Sequence, residues 1–209
     1  VTLESTDCVI YVEMSLVLAM TVQQKRISYK AFKENLKALR YRNRQINGYY
    51  SRLHYFSDWL YTNQRKGYLT ILFQEKELPE LGPIKFMSKN RSQYAKLADS
   101  DSLVKLMKQR ETYLETRSLY YIPAGKIPDY TENMKTGDVL AFVTDIEGLD
   151  VSHTALVDKR KNSVGFYHAS LNEGVKKSGE SIGEYVSEQN KVKGIIVARL
   201  HPNQPYHSY

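Results

Sequence analysis

Ser152-His153-Thr154-Ala155-Leu156-Val157 and Ser163-Val164-Gly165-Phe166-Tyr167-His168-Ala169-Ser170 flank a short polar stretch, Asp158 to Asn162. Two β-prone runs around such a link read as an antiparallel hairpin. A turn centred on Arg160–Lys161 sets opposite each other residues whose numbers sum to 321, and His153 and His168 meet that sum. Directly opposed residues have Cβ atoms ~5 Å apart. Alternation then places His153, Ala155 and Val157 on one face, beside Val164, Phe166 and His168. That face is apolar except for its two histidines, so it is expected to be buried.

Working outward, Val139 to Val143 and Ile195 to Leu200 are further short β-prone runs. Before Gly137 the pattern is helical. Val9, Val12, Leu16, Val17 and Met20 recur at i, i+3, i+7, i+8 and i+11, one face of a helix from about Cys8 to Gln23. Thr6 or Asp7 can cap it, because a short side-chain oxygen accepts the free amides of a first turn. Helices are also expected from Ser28 to about Arg40, over Arg52 to Tyr61, and from Ser102 to about Ser118 with Leu103, Leu106, Met107 and Leu114 on one side. Leu78 to Pro83 and Pro123 to Asp129 read as loops, and His201 to Tyr209 as an irregular tail. Helices first and strands last argue for an α+β fold with an antiparallel sheet. The Cys8 helix is the most apolar one available to cover the histidine face.

The chain has 209 residues, 42% apolar and 25% charged, which suits one domain with a real core. No apolar run approaches the ~20 residues of a membrane span, and no signal peptide is visible at Val1. A single cysteine makes no internal disulfide and no cysteine cage for zinc. The net charge of +7 is uneven: Thr21 to Lys66 holds 11 Lys/Arg against Glu34 and Asp58. Such a surface attracts polyanions, although lysines and arginines also simply solubilise a helix face. No zinc-finger, RNP-type or helix-turn-helix signature supports a nucleic-acid partner.

Cys8 falls in a helix's first turn, where unpaired amides favour a thiolate. Two histidines on a core face beneath it make a thiol–imidazole–imidazole arrangement, in which one ring takes the thiol proton and the second orients the first. Two alternatives stand beside this. The histidines can be core residues satisfied by backbone groups, or a His/His/Cys metal site, though that lacks an obvious carboxylate or fourth ligand.

At this level of detail the residues resemble a known family. Asp7-Cys8-Val9-Ile10-Tyr11-Val12-Glu13 is similar to the nucleophile motif of the NlpC/P60 cysteine peptidases. Gly137-Asp138-Val139-Leu140-Ala141-Phe142 is similar to their Gly-Asp strand, and Ser152-His153-Thr154-Ala155 and His168-Ala169-Ser170 to their two histidine strands. The stretches DCVIYVE, RLHYFSDWL and GLDVSHTALV resemble more narrowly the N-acetylmuramoyl-L-alanine amidase-like branch. The resemblance implies a papain-like NlpC/P60 fold, with a nucleophile helix packed on an antiparallel sheet. It implies one domain over 1–209, with a large, mainly helical insertion at about 25–136. It makes Cys8 the nucleophile, His153 the general base and His168 the orienting third member, with no metal or cofactor.

Two departures from the superfamily bear on substrate. Val9-Ile10 stand where many members carry Ser-Gly, which in the γ-D-glutamyl endopeptidases helps hold a free amine together with the preceding Asp. About 130 residues separate Cys8 from the Gly-Asp strand, room for an insertion that walls a groove and reads a glycan. Both favour an amidase cutting between N-acetylmuramic acid and L-alanine over an endopeptidase on the stem peptide. A non-catalytic glycan-binding module is the alternative outside the enzymes. Asp7, Arg52, Tyr55 and Ser152 are candidate substrate-binding residues, Tyr55 together with Trp59 by stacking on sugar rings. The expected partners are peptidoglycan or muropeptide fragments. The expected place is the periplasm or cell envelope, the export signal being absent from this chain.

Overall fold

Asp7 is in extended conformation and its Oδ1 accepts the Ile10 N–H at 2.6 Å, so the chain turns into helix at the next residue. The computed structural model describes residues 6–25, 27–161, 163–170 and 172–201. Helix α1 spans Cys8–Gln23 and buries Val12, Leu16, Val17 and Met20, the stripe expected from periodicity. Helix α2 (Tyr29–Arg40) starts at the Ser28 cap and buries Leu36 and Leu39. Helix α3 (Phe56–Arg65) follows an extended approach and buries Phe56, Trp59 and Leu60. Strand β1 (Leu69–Leu72) comes next, then the short helices α4 (Phe86–Lys89) and α5 (Ala95–Ala98). Helix α6 (Asp101–Glu115) is capped by Ser100. Strand β2 (Ile122–Pro123), helix α7 (Ile127–Tyr130), the strands β3 (Val139–Thr144), β4 (Val151–Arg160), β5 (Ser163–Ser170) and β6 (Gly174–Lys177), helix α8 (Ile182–Glu188) and strand β7 (Val192–Leu200) complete the order.

The sheet runs β1-β7-β3-β4-β5-β6, every pair antiparallel, so the chain is α+β. β2 lies beyond β1 along the free edge of β7, where Pro123 can forgo a ladder hydrogen bond. The approach there is close: a Cβ on Gly194 would meet the Ile122 carbonyl oxygen at 2.1 Å. The long segment between α1 and β3 therefore supplies strands to the sheet as well as helices around it.

β3 is buried along its whole length, because both faces of the sheet are covered. Val139, Ala141, Val143, Ile196 and Ala198 pack with α1, α2 and α3. Leu140, Phe142, Ala155, Val157, Phe166, Ile195 and Val197 pack on the other side with Ile127 and with Ile182 and Val186 of α8. This corrects the expected layering. The body of the Cys8 helix covers the face opposite the histidines, and α8 covers the histidine face. Fully covering each core aromatic such as Phe142 is worth roughly 1.5–3 kcal/mol.

Three sequence expectations shift. Leu156 pairs with Tyr167 and Arg160 with Ser163, so opposed residues of the hairpin sum to 323 rather than 321. An offset of two keeps each side chain on its face, so the histidines meet diagonally instead of across. On α6 the inward residues are Val104, Met107, Glu111 and Leu114, while Leu106 is exposed. Pro123 to Asp129, expected as loop, winds into a 3-10 turn and α7. The tail's residues 202–209, including His207, lie outside the described residues.

Candidate active site

β4 carries one extra residue against β3. Phe142 faces His153, but Val143 faces Val151, so Ser152 forms the bulge. A bulge re-aims the neighbouring side chain. Here it leaves Ser152 exposed and turns the His153 ring flat against Phe142, centroids 5.6 Å apart. His168 on β5 stands edge-on to His153, and His153 Nε2 lies 2.8 Å from His168 Nδ1. One of these nitrogens must donate. If His153 Nε2–H is the donor, its Nδ1 keeps a free lone pair, the form a general base needs. Phe166 and Tyr185 of α8 pack edge-on against His168 and hold the second ring.

The first turn of α1 comes beside the start of β4. Cys8, half-buried, lines one cleft of about 160 Å³ with His153, Ser152 and Asp150, and with His54, Tyr55 and Tyr94 from the segment between α1 and β3. Tyr185 stands close enough to Cys8 and Glu180 for their charge to add to burial in raising its pKa. The first intrahelical bond of α1 is Tyr11 N–H to the Asp7 carbonyl, and Asp7 Oδ1 takes the Ile10 amide. The amides of Cys8 and Val9 precede these at the positive end of the helix. Asp7 thus acts as the helix cap.

Burial, and secondarily the neighbouring His168, push His153 down to about 4. Burial and then Lys176 lower His168. Both rings are therefore neutral at physiological pH, as proton acceptance requires. His54, unassigned in the sequence, is likewise lowered to about 4 by burial, its Nε2 2.9 Å from the Tyr49 carbonyl.

The remaining candidates are placed as follows. Tyr55 is only 2% exposed; its hydroxyl donates to Glu111 Oε1 at 2.6 Å and accepts the Met87 amide at 2.7 Å. A ring so enclosed offers no free face to a sugar, so Tyr55 builds the cleft wall rather than a stacking platform. Trp59 is in the core, stacked on Phe56. Arg52 lies 3.8 Å from buried Glu13, which Arg40 holds more closely at 2.6 Å.

Asp150 was not singled out, and it ties the site together. Wholly buried, its Oδ2 accepts the Ser57 amide at 2.7 Å, capping α3 from outside, and its Oδ1 accepts the Val151 amide at 2.8 Å. Burial raises its pKa. Gly148, at φ +79°, lets the preceding turn receive the Lys85 and Phe86 amides; a Cβ there would sit 2.8 Å from Lys85 Cγ.

Among the described residues, no group of three or more His, Cys, Asp or Glu is arranged to hold a metal ion. A larger cavity of about 370 Å³ lies between α3 and α6, lined by Ser57, Tyr61 and Arg117. Its walls also carry Glu80 and Glu115 but no cysteine or histidine, whereas the smaller cleft holds both Cys8 and His153.

His168 meets His153 ring nitrogen to ring nitrogen and does not itself line the cleft that His153 shares with Cys8. His168→Gln is expected to lower kcat about 100- to 10,000-fold with a smaller change in KM, by freeing the base to take the wrong tautomer or rotamer. Steady-state kinetics on the variant check this, and a drop confined to KM would refute the positioning role.

A thiol at a helix start that shares a cleft with one of two hydrogen-bonded imidazoles is a set of groups that acyl-transfer chemistry can use. The chain belongs to the N-acetylmuramoyl-L-alanine amidase-like family, whose family model matches residues 1–195. Among solved structures, an N-acetylmuramoyl-L-alanine amidase from Bacteroides uniformis is 35% identical, with a TM-score of 0.88 over 96% of this chain and 85% of that one. A Bacteroides fragilis protein bearing a provisional xylanase name is 32% identical, with a TM-score of 0.86 over 93% of this chain and 86% of its own. A Legionella pneumophila protein at 24% identity shares the fold, with a TM-score of 0.67 over 95% of this chain and 77% of its own. No curated protein matches the chain in sequence.

Proposed function

We propose that this protein is a cysteine-dependent hydrolase of bacterial peptidoglycan that cleaves the amide between N-acetylmuramic acid and L-alanine of the stem peptide. The reading includes a papain-like NlpC/P60 ancestry and a place in the periplasm or cell envelope. The observation that carries it is that His153, 2.8 Å from His168, lines the same cleft as Cys8, in a chain of the amidase-like family.

Cys8 Sγ attacks the lactyl carbonyl as its proton passes to His153 Nδ1. An amide at the start of α1 receives the developing oxyanion. The tetrahedral adduct collapses, its C–N bond breaks, and His153 gives the proton to the departing L-alanine amine. Water, deprotonated by His153, then hydrolyses the thioester and returns the thiol. His168 accepts from His153 Nε2–H throughout and steadies the imidazolium.

The same cleft argues against glycoside hydrolysis. That chemistry ordinarily needs two carboxyl groups flanking the bond. Among the described lining residues Asp150 is the one acid, and two backbone amides occupy its oxygens.

The base must be neutral to act. Because burial lowers His153 to about 4, the neutral form persists well below the ordinary histidine range. The acid limb of kcat/KM is therefore expected near pH 4 rather than 6.5. A pH–rate profile on a soluble muropeptide checks this; an acid limb at 6.5 would mean that the free enzyme's base is not this buried ring.

The reading itself is tested by mass spectrometry of purified muropeptides incubated with the protein. Release of an intact stem peptide beginning at L-alanine is expected. Cleavage further along the peptide would make the protein an endopeptidase, and absence of any cleavage would favour a binding module.

A further inference from the structure

The lysines and arginines of the basic segment noted in the sequence do not line the Cys8 cleft, and the structure divides them. Arg40 pairs with Glu13, Arg42 with Asp58, and Lys66 donates to the Ala38 and Tyr41 carbonyls at 2.7 Å; these cations face inward. Lys25, Lys30, Lys33 and Lys37 are exposed. At the Lys25–Lys33 end of the α1–α2 pair, away from Lys37 in the last turn of α2, the chain also exposes Leu18 (54%), Val22 (58%), Ile27 (78%) and Tyr29 (71%).

Scattered exposed apolar residues are ordinary. These are not scattered: four of the eight large apolar side chains exposed among the described residues lie between Leu18 and Tyr29. Leu18 and Val22 share one stripe of α1 at i, i+4. Ile27 and Tyr29 flank the Ser28 cap of α2, and Lys33 Nζ sits 4.7 Å over the Tyr29 ring. Between Leu18 and Lys37 the sequence holds five Lys/Arg against one acid, Glu34.

We propose that this end of the α1–α2 pair docks on an anionic lipid bilayer, with Val22, Ile27 and Tyr29 entering the headgroup region and the lysines meeting lipid phosphates. Charge and apolarity together choose the occupant. A nucleic acid or anionic glycopolymer would use the lysines and leave the apolar tip in water. A second copy of this chain would bring lysines against lysines. An anionic membrane surface offers negative charge and apolar depth at one place. The attachment is peripheral, since no described helix is long and apolar enough to cross a membrane.

Co-sedimentation of the whole chain with vesicles tests this, and does not depend on the hydrolase reading. Binding to phosphatidylglycerol-containing vesicles is expected, with little to pure phosphatidylcholine and weakening as salt rises. Lys30→Gln and Lys33→Gln should each lower partitioning about fivefold. Ile27→Ser/Tyr29→Ser should lower it at least about tenfold. These exposed changes should leave the thermal midpoint unmoved, so misfolding is separable from lost docking. Equal binding to both vesicle types, or binding to neither, overturns the proposal. It also fails if the Ile27/Tyr29 variant binds like wild type while the protein also binds heparin, which would mark a polyanion surface. Concentration-dependent dimerisation abolished by that variant would assign the patch to a second copy instead.

Discussion

Cys8→Ala should reduce release of stem peptide from muropeptides by about 10,000-fold or more while leaving the thermal midpoint nearly unchanged. The size follows from chemistry: without sulfur there is no thioester, and the imidazole pair can only assist water at a carbonyl placed for a thiol. The small stability effect follows from position. Cys8 is half-buried at the first position of α1, and the cap is Asp7, not Cys8. Mass spectrometry and kinetics with wild type and variant side by side decide it. Wild-type-like turnover in the variant would remove the cysteine mechanism even if the amidase activity stands.

Helix α1 was legible because its start and its face are both local signals. Asp7 supplies the cap, and Val12, Leu16, Val17 and Met20 supply the stripe. The histidine pair was legible in parity but not in register. Strand alternation fixes a face, whereas register depends on where the turn sits, and here the ladder closes at Arg160–Ser163. An error of two residues happens to keep both rings on one face, and the side chains then bridge the diagonal. Helix α8 carried a readable signal that went unread. Ser181 and Glu184 form a capping box, each side chain bonding the other's amide.

The layers were harder. Which face α1 covers depends on all strands at once, and local pattern cannot report it. Asp150 and Glu111 were illegible for a related reason. Their partners, the Ser57 amide and the Tyr55 hydroxyl, lie 93 and 56 residues away. Charge counting over residues 21–66 also could not separate arginines buried on Glu13 and Asp58 from lysines left in water.

Asp58 shows what those inward arginines require. Its side chain is 2% exposed, and Arg42, Arg110 and Arg117 all converge on it, Arg42 at 2.6 Å and Arg117 at 3.4 Å, with Thr62 also donating at 3.2 Å. Burial pushes the carboxyl pKa up, but Arg110 and Arg42 prevail and hold it below the ordinary value. Tyr61 and Tyr113 flank Arg117, its guanidinium 3.6 Å and 4.1 Å from their ring centroids, so this cation cannot swing away to water. Asp58→Ala would therefore strand three largely buried guanidinium groups with no counter-charge. Removing one partner of a buried ion pair costs about 3–5 kcal/mol, which for a chain of this size lowers the thermal midpoint by roughly 10 °C. The sign with pH follows from the lowered carboxyl. Its stabilisation is present above the unfolded-state pKa and fades as pH falls through the folded value. Denaturant unfolding of wild type and variant measures the loss. Arg110→Met placed on top of Asp58→Ala should restore part of it, by removing one stranded charge. If instead Asp58→Ala costs less than about 1 kcal/mol, the cluster is solvated in the native protein and the arginines behave as surface groups.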